Sequence, residues 1–222
     1  MPDSAITSKK SDNTRGRILD TAEKLFTKHG FRAMTLRKVT INAGVNLAAV
    51  NYHFGSKDAL MRAMIKNRVE PINRERLRRL DVLIAQHGNR PIPLEDIFDA
   101  LLRPLFEKAT GSPHNKGMIR MMGRAISEPT DFMQRMHKEI FSDLTKRFLT
   151  ELQRTCPHID RDQLRYRLFF VINTMIGSLV GQVLFDTILD SDLKFSDHER
   201  MLKELINFVT AGFEQLESYE DK

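Results

Sequence analysis

The sequence predicts an all-α protein, and three observations carry that expectation. Apolar residues recur at helical spacing along almost the whole chain, no run of alternating β-branched residues is long enough to compete, and capping residues and glycines punctuate the first 57 residues at close intervals. With 222 residues, 41% of them hydrophobic, the chain is long enough to bury a substantial core.

Residues 1–12 open "MPDSAITSKKSD", which lacks the apolar centre of a secretory signal and reads as a flexible basic arm. A first helix is expected from about Thr14, because Ile18, Ala22, Leu25 and Phe26 share one face. Gly30 should end it in the left-handed conformation common at helix C-termini. Thr35 can cap a second, short helix through Ala43, closed by Gly44; Asn46 can cap a third, and Ser56 a fourth that starts at Lys57. Pro71 removes a backbone donor and crowds the preceding turn, so the fourth helix is expected to end or kink near Glu70. Further helices are expected at about 94–109, 116–126, 129–154, 161–189 and 197–217, with "ATGSPHNKG" and "TCPHID" as the clearest breaks. There is no internal repeat. The expected organisation is an arm over 1–12, a helix-turn-helix domain over 13–58 and a larger helical domain over 59–222.

Charge is distributed unevenly. Residues 1–66 hold 12 Lys/Arg against 5 Asp/Glu, whereas the rest holds 23 against 24, so the net charge of +6 belongs to the N-terminal third. A localised positive excess points to a polyanion, either nucleic acid or an acidic membrane surface. The most apolar run, "FFVINTMIGSLVGQVLF", is interrupted by Asn173, Thr174, Ser178 and Gln182 and falls short of the ~20 residues that span a bilayer, which makes it a buried helix and no membrane partner is expected. Cys156 is the only cysteine, so an internal disulfide is impossible; a reducing, cytoplasmic location is expected.

The stretch "GVNLAAVNYHFGSKDAL" favours nucleic acid as the polyanion. At ~100° per residue, Val50 and Phe54 fall together and mark the buried side, which leaves Ala48, Tyr52 and Ala49 outward with Asn51 and His53 on the flanks. Two methyls, a phenol, an amide and an imidazole are an odd choice for a face meant only for water. A major groove accommodates them: bare alanines let the backbone approach base edges and offer methyls to thymine, Asn can pair with adenine, and Tyr, His and Lys can reach phosphates. The competing reading is an ordinary alanine-rich helix with Tyr52 packed on its neighbour.

The segment "GRILDTAEKLFTKHGFRAMTLRKVTINAGVNLAAVNYHFGSKDALMRAMI" resembles the N-terminal domain of TetR-family transcriptional regulators, over roughly residues 15–65. That resemblance implies DNA contacts from Thr35, Arg37 and Lys38 at the start of the second helix. It also implies them from Asn46, Leu47, Ala48, Ala49, Asn51, Tyr52 and His53 on the recognition helix, with Lys57 on phosphate. Where many members carry a threonine followed by Leu-Tyr, this chain has Ala49-Val50-Asn51, so no operator sequence carries over. Arg37 is the best base-contact candidate, since arginine can take both guanine acceptors, worth ~1–3 kcal/mol of discrimination; otherwise it is a solvated surface charge.

The remaining two thirds carry no catalytic signature. The histidines are scattered, no pair sits at metal-ligand spacing and there is no Gly-rich phosphate loop, so no enzyme activity, cofactor or metal is expected. Cys156 beside Pro157 would be a nucleophile only in an activating basic environment. Methionine is abundant: Met118, Met121, Met122, Met133 and Met136 lie near Phe132 and Phe141 and suit either plain core or an adaptable apolar pocket. Arg120 and Arg124 share a face beside them and are either solvated or the cation at the mouth of that pocket. Phe169, Phe170 and Asn173 complete the expected lining. Gly177, Ser178 and Gly181 permit close approach of another helix, and Leu202, Leu205, Ile206, Val209 and Phe213 form an apolar stripe on the last helix; together they are the expected four-helix dimer interface.

The TetR family is similar here in architecture, its last two helices pairing across a two-fold axis and its intervening domain holding an inducer. "INAGVNLAAVNYHFGSKDAL" is most similar to the fatty-acid-responsive branch, which implies an acyl-CoA or free fatty acid. The expectation is a homodimeric regulator of a palindromic operator in double-stranded DNA, a repressor released by a small apolar or amphipathic effector, with Pro71 as the point where a shift becomes a rotation of the reading head. The alternatives are a ligand-independent architectural DNA binder and a helical enzyme acting on the pocket ligand.

Overall fold

A computed structural model describes residues 3–110, 113–128, 131–188 and 195–214, which form nine helices and no strand among the described residues. They are α1 (Asp3–Ala33), α2 (Leu36–Ala43), α3 (Leu47–Phe54), α4 (Lys57–His87), α5 (Leu94–Ala109), α6 (Pro113–Ser127), α7 (Asp131–Thr155), α8 (Arg161–Ile188) and α9 (His198–Glu214). The backbone gathers into two compact units, the first of Met1–Glu70 with Lys116–Ile140 and the second of Pro71–Asn115 with Phe141–Lys222.

Three boundaries differ in part from those expected. α1 already begins at Asp3, so the expected arm is helical from that residue; no proline or glycine lies between it and Arg15 to break the run. Of the end or kink expected at Pro71, the end does not occur, since Pro71 lies inside α4, although the boundary between the units falls there. A proline deletes one bond of the ladder, and burial of Val69, Ile72 and Leu80 on the same helix outweighs that loss. Finally, residues 116–140 cluster with the N-terminal helices instead of the larger domain; the expected end of the last helix at 217 lies outside the described residues.

In the first unit, Ile18, Ala22 and Phe26 of α1 are fully buried, as their spacing demands, together with Met34, Val39, Val50, Leu60 and Met61. An ion pair joins α1 to α4: Arg68 Nε donates to Glu23 Oε2 at 2.6 Å and Arg68 Nη2 to Asp20 at 3.2 Å, with Glu23 itself buried. Gly30 adopts φ 77°, ψ 176°. The positive φ was expected but the extended ψ was not, and α1 makes one further turn after it, to Ala33.

In the second unit α5 packs chiefly on α9, with α8 against both. The rings of Phe98 and Phe213 meet edge to face at 4.9 Å, and Leu101, Leu102, Leu105, Phe106 and Phe148 fill the surrounding core. Arg76 is buried there as well. Its guanidinium donates to the carbonyl of Leu101 at 2.7 Å, to Asn73 Oδ1 at 3.1 Å and to Met175 Sδ at 3.4 Å, so three helices share one cation, and burial depresses its pKa to about 10. No described helix is long and apolar enough to cross a membrane.

Candidate nucleic-acid interface

Four caps build the reading head. Thr35 accepts from the Lys38 N–H at 3.2 Å and starts α2; Gly44, at φ 61°, ψ 41°, closes it with a left-handed turn. Asn46 accepts from Ala49 N–H at 2.7 Å and starts α3, and Ser56 accepts from Ala59 N–H at 3.1 Å and starts α4. Short side chains that bond the next turn therefore fix where each helix begins, which is why these boundaries could be read from residue type alone.

The faces follow. Val50 points into the core, Phe54 is half-buried beneath Arg15, and Tyr52 is 84% exposed, so the phenol is not sealed under a neighbouring helix. Thr35, Arg37, Lys38, Asn46, Leu47, Ala48 and Asn51 are exposed too, while Ala49, His53 and Lys57 are half-buried. Ile41, which the sequence reading did not select, is 70% exposed beside them; its apolar character at an outward position of α2 was the available signal.

The cations differ in their commitments. Arg37 makes no ion pair or side-chain hydrogen bond among the described residues and is available to a ligand. Lys38 Nζ donates to the Ala33 carbonyl at 3.0 Å, closing the end of α1. Lys57 Nζ lies 4.2 Å from the centre of the Phe31 ring and 3.5 Å from the Arg32 carbonyl, and its partial burial lowers its pKa, opposed by the charges of Asp58 and Glu128.

The other selected residues sit in three different environments. Met118, Met121, Met122, Phe132, Met133 and Met136 are buried in the first unit and fill its core. Arg120 and Arg124 are exposed, and Arg124 Nε donates to Glu128 at 3.1 Å; Phe141 is half-buried at the start of the second unit's share of α7. Phe169, Phe170 and Asn173 are exposed on α8, and Phe170 lines an open cleft between α8 and α9.

The α9 stripe expected at the dimer interface faces inward. Leu202, Leu205, Ile206, Val209 and Phe213 are all buried within this chain, largely by α5, so they are not open to a second copy. Gly177 is exposed, and Ser178 and Gly181 are half-buried. The outward apolar surface of these helices includes Tyr166, Phe169, Phe170, Val180, Leu184, Phe185 and Ile188 on α8 and Phe208 on α9, beside open clefts of ≈ 450 and ≈ 550 Å³ between the two helices. Helix α8 is apolar on two sides, and that double stripe is the signal from which Tyr166, Val180 and Leu184 could have been found. Cys156 is buried, and desolvation pushes its thiol pKa up, the reverse of an activated nucleophile.

A capped pair of short helices, the second turning alanines, an amide and an exposed phenol to solvent within a basic segment, defines a helix-turn-helix nucleic-acid-binding protein. Residues 18–64 match the family described as bacterial regulatory proteins, tetR family, and residues 99–212 match the tetracyclin repressor-like C-terminal domain. The chain belongs to the tetR family, and is therefore a transcriptional regulator rather than an enzyme.

Among curated relatives, the HTH-type transcriptional regulator SrpR of Pseudomonas putida is 33% identical over 66 residues, 30% of this chain and 31% of that one. The HTH-type transcriptional repressor AcnR of Corynebacterium efficiens is 33% identical over 63 residues, 28% of this chain and 34% of the relative. The matched stretch thus spans about a third of these relatives' length. Solved structures extend the likeness in fold to most of the chain. SmeT, the repressor of a Stenotrophomonas maltophilia multidrug efflux pump, superposes in its triclosan complex with a TM-score of 0.62 at 20% identity, covering 90% of this chain and 91% of that one. The fatty acid degradation regulator FadR of Bacillus halodurans does so with a TM-score of 0.61 at 14% identity, covering 91% and 97%.

Proposed function

We propose that this protein is a homodimeric, sequence-specific repressor that binds a palindromic operator and is released by a small apolar or amphipathic effector. The exposed phenol of Tyr52, on a helix whose opposite side is buried, is the observation that carries the DNA-binding part. In this reading Thr35, Arg37, Lys38, Asn46, Leu47, Ala48, Ala49, Asn51, Tyr52, His53 and Lys57 meet the duplex. Arg37 reads a base and Lys57 neutralises a phosphate.

The outer apolar face of α8, joined by Phe208, supports the dimer, since a contiguous apolar surface of that kind is unusual on a monomer and a two-fold axis buries it against its own copy. Two reading heads then address successive major grooves ~34–36 Å apart, and an effector that favours another separation lowers operator affinity. One structural neighbour binds triclosan and another regulates fatty acid degradation, which supports an apolar or amphipathic effector here.

The test combines selection from a randomised duplex pool with native mass spectrometry of the purified protein. The expected outcome is enrichment of a palindrome bound by a dimer, and displacement of that DNA by decanoate or a long-chain acyl-CoA. Failure to bind any duplex at low ionic strength refutes the first part; binding insensitive to every amphiphile refutes the second.

A further inference from the structure

Lys57 is not held by its own helix alone. Its ammonium rests on the Phe31 ring at 4.2 Å and reaches the Arg32 carbonyl at 3.5 Å, so its position depends on the turn Gly30–Phe31–Arg32 at the kink near the end of α1. That turn is in turn gripped by the corner where α6 gives way to α7. The Phe31 ring stacks parallel on Phe132 with centroids 5.0 Å apart and planes 9° from coplanar. The Phe31 backbone N–H donates to Glu128 Oε1 at 3.3 Å, and the other oxygen of Glu128 accepts from Arg124 at 3.1 Å.

Gly30 makes the grip possible. Its φ of 77° with ψ 176° suits a residue without a side chain, and a Cβ there would meet the ends of two side chains, lying 2.5 Å from Arg124 Nη2 and 3.0 Å from Glu128 Oε2. Glu128 is mostly buried, yet it spends one oxygen on the backbone of the turn that carries the cation's seat. A side chain needed only for packing would be apolar there. Farther along, Glu139 of α7 pairs with Arg62 and with Lys66, the latter at 2.6 Å, and fastens the following turns of α4.

We propose that Glu128 and Phe132 are positioning residues for DNA binding: they hold the Phe31 turn, and through it Lys57, in the geometry that meets a phosphate. The proposal rests on the reading of Lys57 as a phosphate contact. Neither residue touches the duplex. Their effect is routed through one cation, which gives it a signature that general stabilisation lacks. Losing a phosphate contact lowers the slope of log affinity against log salt by about one, on any sequence.

The experiment measures anisotropy of a random-sequence 40-base-pair duplex across a potassium chloride series, with the full-length protein. Lys57→Ala is expected to weaken binding about tenfold and flatten the slope. Phe132→Leu, which keeps apolar volume but loses the ring, and Glu128→Ala, which loses the acceptor, should each weaken it about fivefold and flatten the slope in the same sense. Glu128→Gln, which keeps an acceptor oxygen, should recover most of what Glu128→Ala loses. In the Lys57→Ala background neither corner substitution should weaken binding further. Additive losses in that background, or corner variants with the wild-type salt slope, overturn the proposal while leaving the Lys57 assignment standing. A Lys57→Ala variant with an unchanged slope overturns that assignment and the proposal with it.

Discussion

Replacing Gly30 by alanine should cost far more than the same change at Gly44, although both glycines have positive φ. At Gly30 the pair φ 77°, ψ 176° falls in a region that residues with a Cβ essentially do not enter, at about 1–3 kcal/mol. The added methyl also displaces the ends of Arg124 and Glu128, which lie 2.5 and 3.0 Å from it. Arg124 is exposed and can swing away, but moving Glu128 breaks its bond to the Phe31 N–H, worth about 1 kcal/mol. The total is about 2–4 kcal/mol. Gly44, at φ 61°, ψ 41°, has ordinary left-handed geometry and nothing within 4 Å of a built Cβ, so alanine there costs about 1 kcal/mol. For a chain of this size each kcal/mol lowers the melting temperature by about 2–4 °C, which predicts losses of about 5–15 °C and about 2–4 °C respectively. Thermal unfolding followed by far-ultraviolet circular dichroism measures both. If Gly30→Ala melts no lower than Gly44→Ala, the conformational argument is wrong.

Arg37→Ala should change which sequences are selected from a random pool, by about 1–3 kcal/mol at one base position, while leaving binding to unrelated duplexes nearly unchanged; a uniform loss across all sequences would make Arg37 a phosphate contact instead. Phe208→Glu should yield a folded monomer in sedimentation equilibrium, because Phe208 is 70% exposed, whereas Leu205→Glu should unfold the protein, because Leu205 is buried. A dimeric Phe208→Glu protein would move the interface elsewhere. Hydrogen bonds from Arg78 and Arg79 hold the Glu75 carboxyl at about 2, below its ordinary 4.5. Since the folded-state value is the lower one, the stabilisation is complete above pH ~4.5 and disappears as pH falls toward ~2. Glu75→Gln should lose stability at neutral pH and flatten the acid limb of the stability profile; an unchanged limb would show that the pair contributes nothing.

The reading head was legible because its signals are local. Thr35, Asn46 and Ser56 bond amides three residues away, Gly44 relieves a clash within its own residue, and the wheel that puts Val50 inside and Tyr52 outside needs only helical geometry. Nothing distant has to be known. The α6 and α7 methionines were ambiguous for the opposite reason: their spacing marks a buried face but not what buries it, and the first unit's core claims them.

Composition, periodicity and capping chemistry by themselves pointed to an all-α chain with a basic helix-turn-helix, and the family came from the likeness of its N-terminal segment to known regulators. Which of two apolar stripes on the last helices turns inward is a question of competition. α5 covers Leu202, Leu205, Ile206, Val209 and Phe213, leaving Phe208 and the outer side of α8 to solvent. The grip of Glu128 and Phe132 on Phe31 joins residues about a hundred positions apart, and a pairing of that range leaves no trace in local pattern. Only the folded chain decides it, because burial and hydrogen bonding are properties of neighbours in space.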